Sequence, residues 1–381
     1  MGKASIYKQT NMRPTILEVD LKKIEENIIQ FKKLLRNLDF MAVVKANAYG
    51  LGAIEISRLA VQCGAKYLCV ATVEEGIEIR KAGITDISIL VLGGIFPQQF
   101  PICSKYHLNL TISSISFFEK LCSLIRNDSS IDLHLNVDTG MHRLGISPDE
   151  VSSFLALFHH YKKNLKLNGV WTHFPNADSL DRSFSLGQIK KFKKVVDRVK
   201  DNIKKSFIVH TANSAAIINL PESYFDMVRL GLGLYGYYDN LDFSDKISLQ
   251  SAITWRTKVI CIKNINKGES IGYGRTFTTN KDSIIGTIPV GYADGYDRLL
   301  SNKGFGMVNG RKAKIVGRVC MDQTMIDLTG IPDVDEETEV VLLGGQGENS
   351  ISIYSLCELL GTIPNEVLVK ITQRVPRIYK S

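Results

Sequence analysis

Lys45 closes an apolar run, Met41-Ala42-Val43-Val44, and is followed by Ala46-Asn47-Ala48-Tyr49-Gly50. A cation at the end of a buried strand is costly unless it is paired or neutralised. Desolvation lowers a lysine pKa, which is what a nucleophilic, Schiff-base-forming amine requires. On its own such a lysine reads as a side chain snorkelling from a strand end. Its company further along the chain changes that reading. Asp138, His142 and Arg143 form one polar cluster, His173 stands alone after an apolar run, and His210 is followed by Asn213 and Ser214. Arg229 then precedes Gly231 and Gly233.

These residues need elements that bring them together. From about residue 40 the chain alternates short apolar runs with amphipathic segments of helix length. The runs are Phe40–Ala46, Tyr67–Ala71, Ile87–Leu92, Leu108–Ile112, Ile131–Val137, Leu167–Thr172, Phe207–His210 and Met227–Leu230. Helical spacing recurs between them, as in Thr72–Lys81 and Asp181–Val199. Eight such units predict an α/β fold with an N-terminal (β/α)8 TIM-type barrel. In a barrel the C-terminal strand ends converge on one mouth, so the lysine, the anion-binding groups and the glycine-bearing backbone would face one opening. That set fits a pyridoxal 5′-phosphate site.

The alternation stops near residue 237. Beyond it come Thr254–Ile262, Ser283–Pro289, Lys314–Val319, Met325–Leu328 and Glu339–Leu343, β-branched runs broken by glycines. They predict a mostly β second domain. The expected division is 1–245 for the barrel and 246–381 for the β domain. A strand near 14–20, ahead of the helix Leu21–Leu35, is expected to join the second domain.

The 381 residues suit one large and one smaller domain, and 44% hydrophobic with 23% charged residues is ordinary globular composition. No apolar run reaches the roughly 18–20 residues of a membrane span. Met1-Gly2-Lys3-Ala4-Ser5 lacks the apolar core of a secretory signal, and the seven cysteines form no CxxC pair. A reduced, cytoplasmic protein with neither a disulfide framework nor a metal site is the expectation. The net charge of +8 comes largely from lysines on helical faces, such as Lys190, Lys191, Lys193 and Lys194. No basic stripe interleaved with aromatics accompanies it, so neither nucleic acid nor membrane is expected as a partner.

Gly231-Leu232-Gly233-Leu234-Tyr235-Gly236 matches the dinucleotide pattern GxGxxG. That fingerprint should open a helix within a βαβ unit, whereas here it ends the alternation and runs into a polar linker. The glycines are better read as letting backbone N–H groups approach a cofactor phosphate.

The segments Ala42–Gly50, Val137–Gly145, Thr172-His173-Phe174, Ala212–Ala216 and Met227–Gly231 come in the order seen in one family. Ile271–Gly274, Pro289–Tyr296, Val319–Asp322 and Arg374–Arg377 continue it. Together they make the chain resemble the alanine racemases, fold-type III pyridoxal-phosphate enzymes with a barrel and a C-terminal β domain. The resemblance implies that Lys45 binds the cofactor covalently and then serves as one base, with Tyr273 as the other on the opposite face. Racemisation needs a proton removed from one face and returned to the other. His173 and Arg229 are implied to favour the phenolate of Tyr273, and Arg229 to face the pyridine nitrogen. An arginine cannot take that nitrogen's proton, so the ring withdraws electrons only weakly. Arg143 is implied to hold the cofactor's phenolic oxygen and the substrate carboxylate, with the Met321 N–H as a second carboxylate donor. Tyr49, Ser214, Gly231 and Leu232 would hold the phosphate, and Asp178, Tyr292, Arg298 and Arg318 would line the substrate's route in. Tyr273 would serve a neighbouring copy, which implies a head-to-tail homodimer. The product would be D-alanine for bacterial peptidoglycan.

Two positions depart from the family pattern. Gln373 stands where a tyrosine should precede Arg374, and Asn136 where some members carry a carbamylated lysine. The first puts substrate breadth in question, so a serine or broad-specificity racemase is the alternative within the class. The second leaves open what orients Arg143. A non-catalytic pyridoxal-phosphate carrier is the alternative outside it, although such carriers resemble the first domain only.

Overall fold

The computed structural model describes residues 13–36, 38–124, 131–161 and 165–381; the N-terminal stretch read above for a signal lies outside them. The chain divides into two compact units, Ile24–Gln250 and a second formed by the described residues up to Lys23 with Ser251–Ser381. Strand β1 (Ile16–Asp20) leads into the helix Leu21–Leu35, which buries Ile24, Asn27, Ile28, Phe31 and Leu35. That i, i+3, i+4, i+7 spacing is one face of a 3.6-residue period.

In the first unit β2 (Asp39–Val43), β3 (Tyr67–Val70), β4 (Ser88–Val91) and β5 (Leu108–Ile112) pair in chain order. They continue through β6 (Ile131–Asn136), β7 (Leu165–Trp171), β8 (Ile208–His210) and β9 (Met227–Leu230), and β9 closes on β2. Every pairing is parallel. Helices cover the outside, so the strands are buried on both faces and read as unbroken apolar runs. The expected barrel is there, with one boundary displaced. The run Phe40–Ala46 is strand only to Val43, because the chain beyond it turns left-handed.

The second unit is mostly β. β10 (Ile253–Lys258), β11 (Cys261–Ile265), β12 (Ser270–Ile271), β13 (Phe277–Thr278) and β14 (Ser283–Ile288) come first. Then follow β15 (Phe305–Val308), β16 (Arg311–Lys314), β17 (Thr324–Asp327), β18 (Glu339–Gln346), β19 (Asn349–Ile351) and β20 (Arg377–Lys380). The main sheet runs β16-β15-β18-β10-β1-β20, with β19 on β18; β11-β14-β17 and β12-β13 form two smaller sheets. β1 lies antiparallel to β10 and parallel to β20. Two expected strands are corrected. Thr254–Ile262 is split between β10 and β11, and Lys314–Val319 is not a strand. Past Lys314 only a bridge from Ile315 to Ile326 remains, and the chain turns at Gly317 (φ +75°) against the Ile271 carbonyl.

Candidate active site

The turn after β2 holds the longest run of positive-φ residues among the described residues. Ala46, Asn47, Ala48 and Tyr49 have φ of +52°, +54°, +51° and +55°, a full left-handed turn closed by Ala48 N–H to Val44 O and Gly50 N–H to Ala46 O. Each non-glycine residue there costs about 1–2 kcal/mol, so the surroundings must hold the turn in place. Glu75 does so. It ends a capping box with Thr72, and its carboxylate accepts the N–H groups of Ala46 (2.6 Å), Ala71 (2.7 Å) and Thr72 (3.3 Å). Lys45 is thereby fixed where strand becomes turn, half-buried. Its pKa is lowered, first by burial and then by the Arg143 charge, with Arg229 adding to this and Glu75 opposing it.

Tyr49 leaves that turn facing inward. Its ring packs on Tyr235 at 5.0 Å, and burial raises its pKa. A Cβ on Gly231 would lie 2.9 Å from the Tyr49 hydroxyl, so only glycine lets the backbone come this close. Ser214, at the start of the helix Ser214–Asn219, is capped from Asn213, and its Oγ accepts N–H groups from Gly231 (2.9 Å) and Gly233 (3.2 Å). The Tyr49 and Ser214 hydroxyls beside this closely approaching glycine backbone are a donor set suited to a phosphate monoester. The GxGxxG segment forms a short turn, Leu232–Tyr235, after β9 and opens no long helix.

Arg229 lies at the end of β9 with only 2% of its surface exposed. Nη1 donates to His210 Nδ1 (2.9 Å) and His210 O (3.0 Å). Nη2 shares its two hydrogens among Thr211 O (2.8 Å), Thr172 O (2.9 Å) and His173 Nδ1 (3.1 Å). No acid pairs with it among the described residues, and its Nε–H makes no protein hydrogen bond there. Burial pulls its pKa down to about 10, so it remains a cation at neutral pH. Because Arg229 can only donate, His173 Nδ1 must accept, and the proton of a neutral His173 sits on Nε2. Burial first, then Arg229, Arg143 and Lys45, hold the His173 pKa well below the ordinary value.

Past β6, Asp138 accepts N–H groups from Gly140, Met141 and His142 at 2.9–3.1 Å. Burial raises its pKa, but these donors and the His142 ring hold it below the usual range. This fold of the loop presents Arg143 at the surface without an acidic partner among the described residues. Asn136 is buried on β6 beneath it in sequence.

On the second unit Tyr273, Tyr292, Arg298, Arg318 and Met321 line one open cavity of about 740 Å³. Tyr273 follows Gly272 (φ +72°) and is 72% exposed; behind it Ile271, Ile285 and Val316 form a small core. The Arg318 guanidinium packs against Gly274. Met321 is held by its neighbours: Tyr292 N–H donates to Cys320 O and Ala293 N–H to Met321 O, both at 3.0 Å. The buried Asp294 accepts the Gly291 N–H and pairs with Arg13 at 2.7 Å, and Arg374 ties Asp322 at 2.8 Å. The Met321 N–H itself makes no protein hydrogen bond among the described residues.

The structure therefore gathers Lys45, Tyr49, His173, Ser214, Arg229, Gly231 and Leu232 at the C-terminal strand ends, with Arg143 on the loop after β6. It gathers Tyr273, Tyr292, Arg298, Arg318 and Met321 on the second unit. Asp178 lies on the barrel unit, apart in the chain from the other access residues. Sequence reasoning missed Glu75, which was visible as the end of a Thr-x-x-Glu capping box.

Two family models match the chain, "Alanine racemase, N-terminal domain" over residues 19–239 and "Alanine racemase, C-terminal domain" over 252–379. The alanine racemase of Halothermothrix orenii is 43% identical over 374 residues, covering 97% of each chain. Alanine racemase 1 of Bacillus subtilis is 40% identical over 371 residues, 96% of this chain and 93% of that protein. A crystal structure of the Bacillus anthracis alanine racemase with bound L-Ala-P superposes with a TM-score of 0.92 at 35% identity, covering 98% and 96%. The matched residues span both units, unlike those of a barrel-only carrier.

Proposed function

The chain belongs to the alanine racemase family, and on that premise we propose that it interconverts L- and D-alanine using pyridoxal 5′-phosphate, with Lys45 and Tyr273 as its two bases. It is an amino-acid racemase, an isomerase. The observation that carries the residue-level reading is Arg229, a buried guanidinium bonded only to neutral acceptors, with one N–H left over. Bound pyridoxal 5′-phosphate supplies a conjugated ring that draws electron density from the substrate's α-carbon. Tyr49, Ser214, Gly231 and Leu232 would hold its phosphate, and Arg229 its pyridine nitrogen.

Arg229 keeps its own proton, so electron withdrawal stays weak and proton return at the α-carbon is favoured over side reactions. Lys45, whose pKa is already lowered, removes or returns the α-proton on one face. Tyr273 does the same on the other. His173, protonated on Nε2, is a donor able to steady the Tyr273 phenolate. Arg143 and the Met321 N–H bind the substrate carboxylate. Asp178, Tyr292, Arg298 and Arg318 line the route in and restrict it to a small amino acid.

Three further assignments rest on the family resemblance. Tyr273 serves the barrel of a second copy in a head-to-tail homodimer, the enzyme works in the cytoplasm, and its D-alanine feeds peptidoglycan. Seven unpaired cysteines support the reducing compartment. Purified protein with saturating cofactor should convert L-alanine to D-alanine, and no turnover under those conditions would reject the reading.

A further inference from the structure

Arg229 is held from the barrel's interior by a chain of imidazoles that the proposed chemistry does not use. His134 on β6 and His210 on β8 are both fully buried, and His134 Nδ1 lies 3.0 Å from His210 Nε2. His210 Nδ1 lies 2.9 Å from Arg229 Nη1. Arg229 has no lone pair to offer, so a neutral His210 must accept at Nδ1 and carry its proton on Nε2. That Nε2–H then needs an acceptor inside the barrel, and His134 Nδ1 is the atom placed to be one. The opposite His210 tautomer would set two N–H groups against each other at the Arg229 contact.

The fold gives up strand regularity to admit the His134 ring. The pairing of β6 with β7 slips between Leu133 and His134. Opposite the slip is Gly169, where a Cβ would stand 2.2 Å from His134 Nδ1. A glycine in mid-strand beside a bulge marks a close approach that the fold has been built around. The tautomer chain also leaves His134 Nε2 as the buried atom without a protein partner. An unmet polar atom is a cost of about 1–3 kcal/mol that an apolar side chain here would avoid.

We propose that His134 is a positioning residue: by accepting the Nε2–H of His210 it fixes that ring's tautomer and keeps the Arg229 guanidinium aligned for the cofactor's pyridine nitrogen. The alignment part rests on the placement of Arg229 proposed above; the tautomer part does not. Replacing His134 with leucine leaves the His210 Nε2–H with no acceptor. Either that buried donor stays unmet, or the ring flips its proton to Nδ1 and pushes Arg229 away. Asparagine, whose Oδ1 reaches about where Nδ1 was, should restore the bond.

The test is two-bond 15N–1H correlation of 15N-histidine-labelled full-length protein, free of cofactor, in wild type, His134→Leu and His134→Asn. Wild type should show both His134 and His210 protonated on Nε2, and His210 found protonated on Nδ1 overturns the proposal without any variant. His134→Leu should lose the single Nε2–H state of His210, and His134→Asn should regain it. With cofactor and L-alanine, the side reaction in which the amino group passes to the cofactor, reducing it to its amine form as alanine is oxidised to pyruvate, should rise roughly tenfold relative to racemisation in His134→Leu and return towards wild type in His134→Asn. If His134→Leu folds with His210 still wholly Nε2-protonated and pyruvate unchanged, His134 only fills space. If wild type shows the Nε2 tautomers but no racemisation, the functional reading fails while the tautomer assignment stands.

Discussion

A lysine amine serves as nucleophile and base only if it spends time unprotonated, and three neighbours decide that for Lys45. Burial and the Arg143 and Arg229 charges lower its pKa, while Glu75 pulls the other way. On the proposed reading, Lys45→Ala removes both the anchor for the cofactor and one base. We expect the absorbance band of lysine-bound cofactor to vanish and turnover to fall by more than about 10⁴-fold, beyond the loss of a single general base. A retained band would assign the covalent link to another amine. The sequence exposed Lys45, Arg143, His173 and Arg229 because a charged or titratable side chain at the end of an apolar run is chemically conspicuous. His134 was not conspicuous, since its role depends on a strand two positions round the barrel.

At the scale of elements, periodicity carried the barrel. The run Leu108–Ile112 and the run Met227–Leu230 are strands over the same residues, and Leu21–Leu35 is a helix over the same residues. What periodicity could not show is the left-handed turn at Ala46–Tyr49. Alanine and tyrosine have no preference for positive φ, and the turn is braced by Glu75, which reaches it from the next βα unit. The strand expected to run to Ala46 failed for that reason, and Lys314–Val319 failed because Gly317 turns the chain. Glu75→Ala should leave three N–H groups without their acceptor, lowering stability by about 2–4 kcal/mol and weakening cofactor binding. Denaturant unfolding and cofactor titration would check it; unchanged values in both would mean the turn holds without Glu75.

Across the whole molecule, His134, His173 and His210 are kept uncharged inside one barrel. Burial, with Arg229 next, lowers His134 to about 3 and the other two well below their ordinary value. Since the folded pKa lies below the unfolded value near 6.5, the unfolded chain binds the extra protons as pH falls through that value. Stability is therefore full above it and declines below it, by up to about 1.4 kcal/mol per pH unit for each ring. Between pH 7.5 and 5.5 the cofactor-free protein should lose roughly 4 kcal/mol in denaturant unfolding, and a flat profile would mean the rings are not held neutral. The assembly tests the account most directly. Lys45→Ala and Tyr273→Phe proteins, each inactive alone, should regain about a quarter of wild-type racemase activity when mixed dimers form, because one site in each mixed pair keeps both bases. Mixed dimers shown to form yet remaining inactive would contradict the claim that the lysine of one copy and the tyrosine of the other work on one substrate.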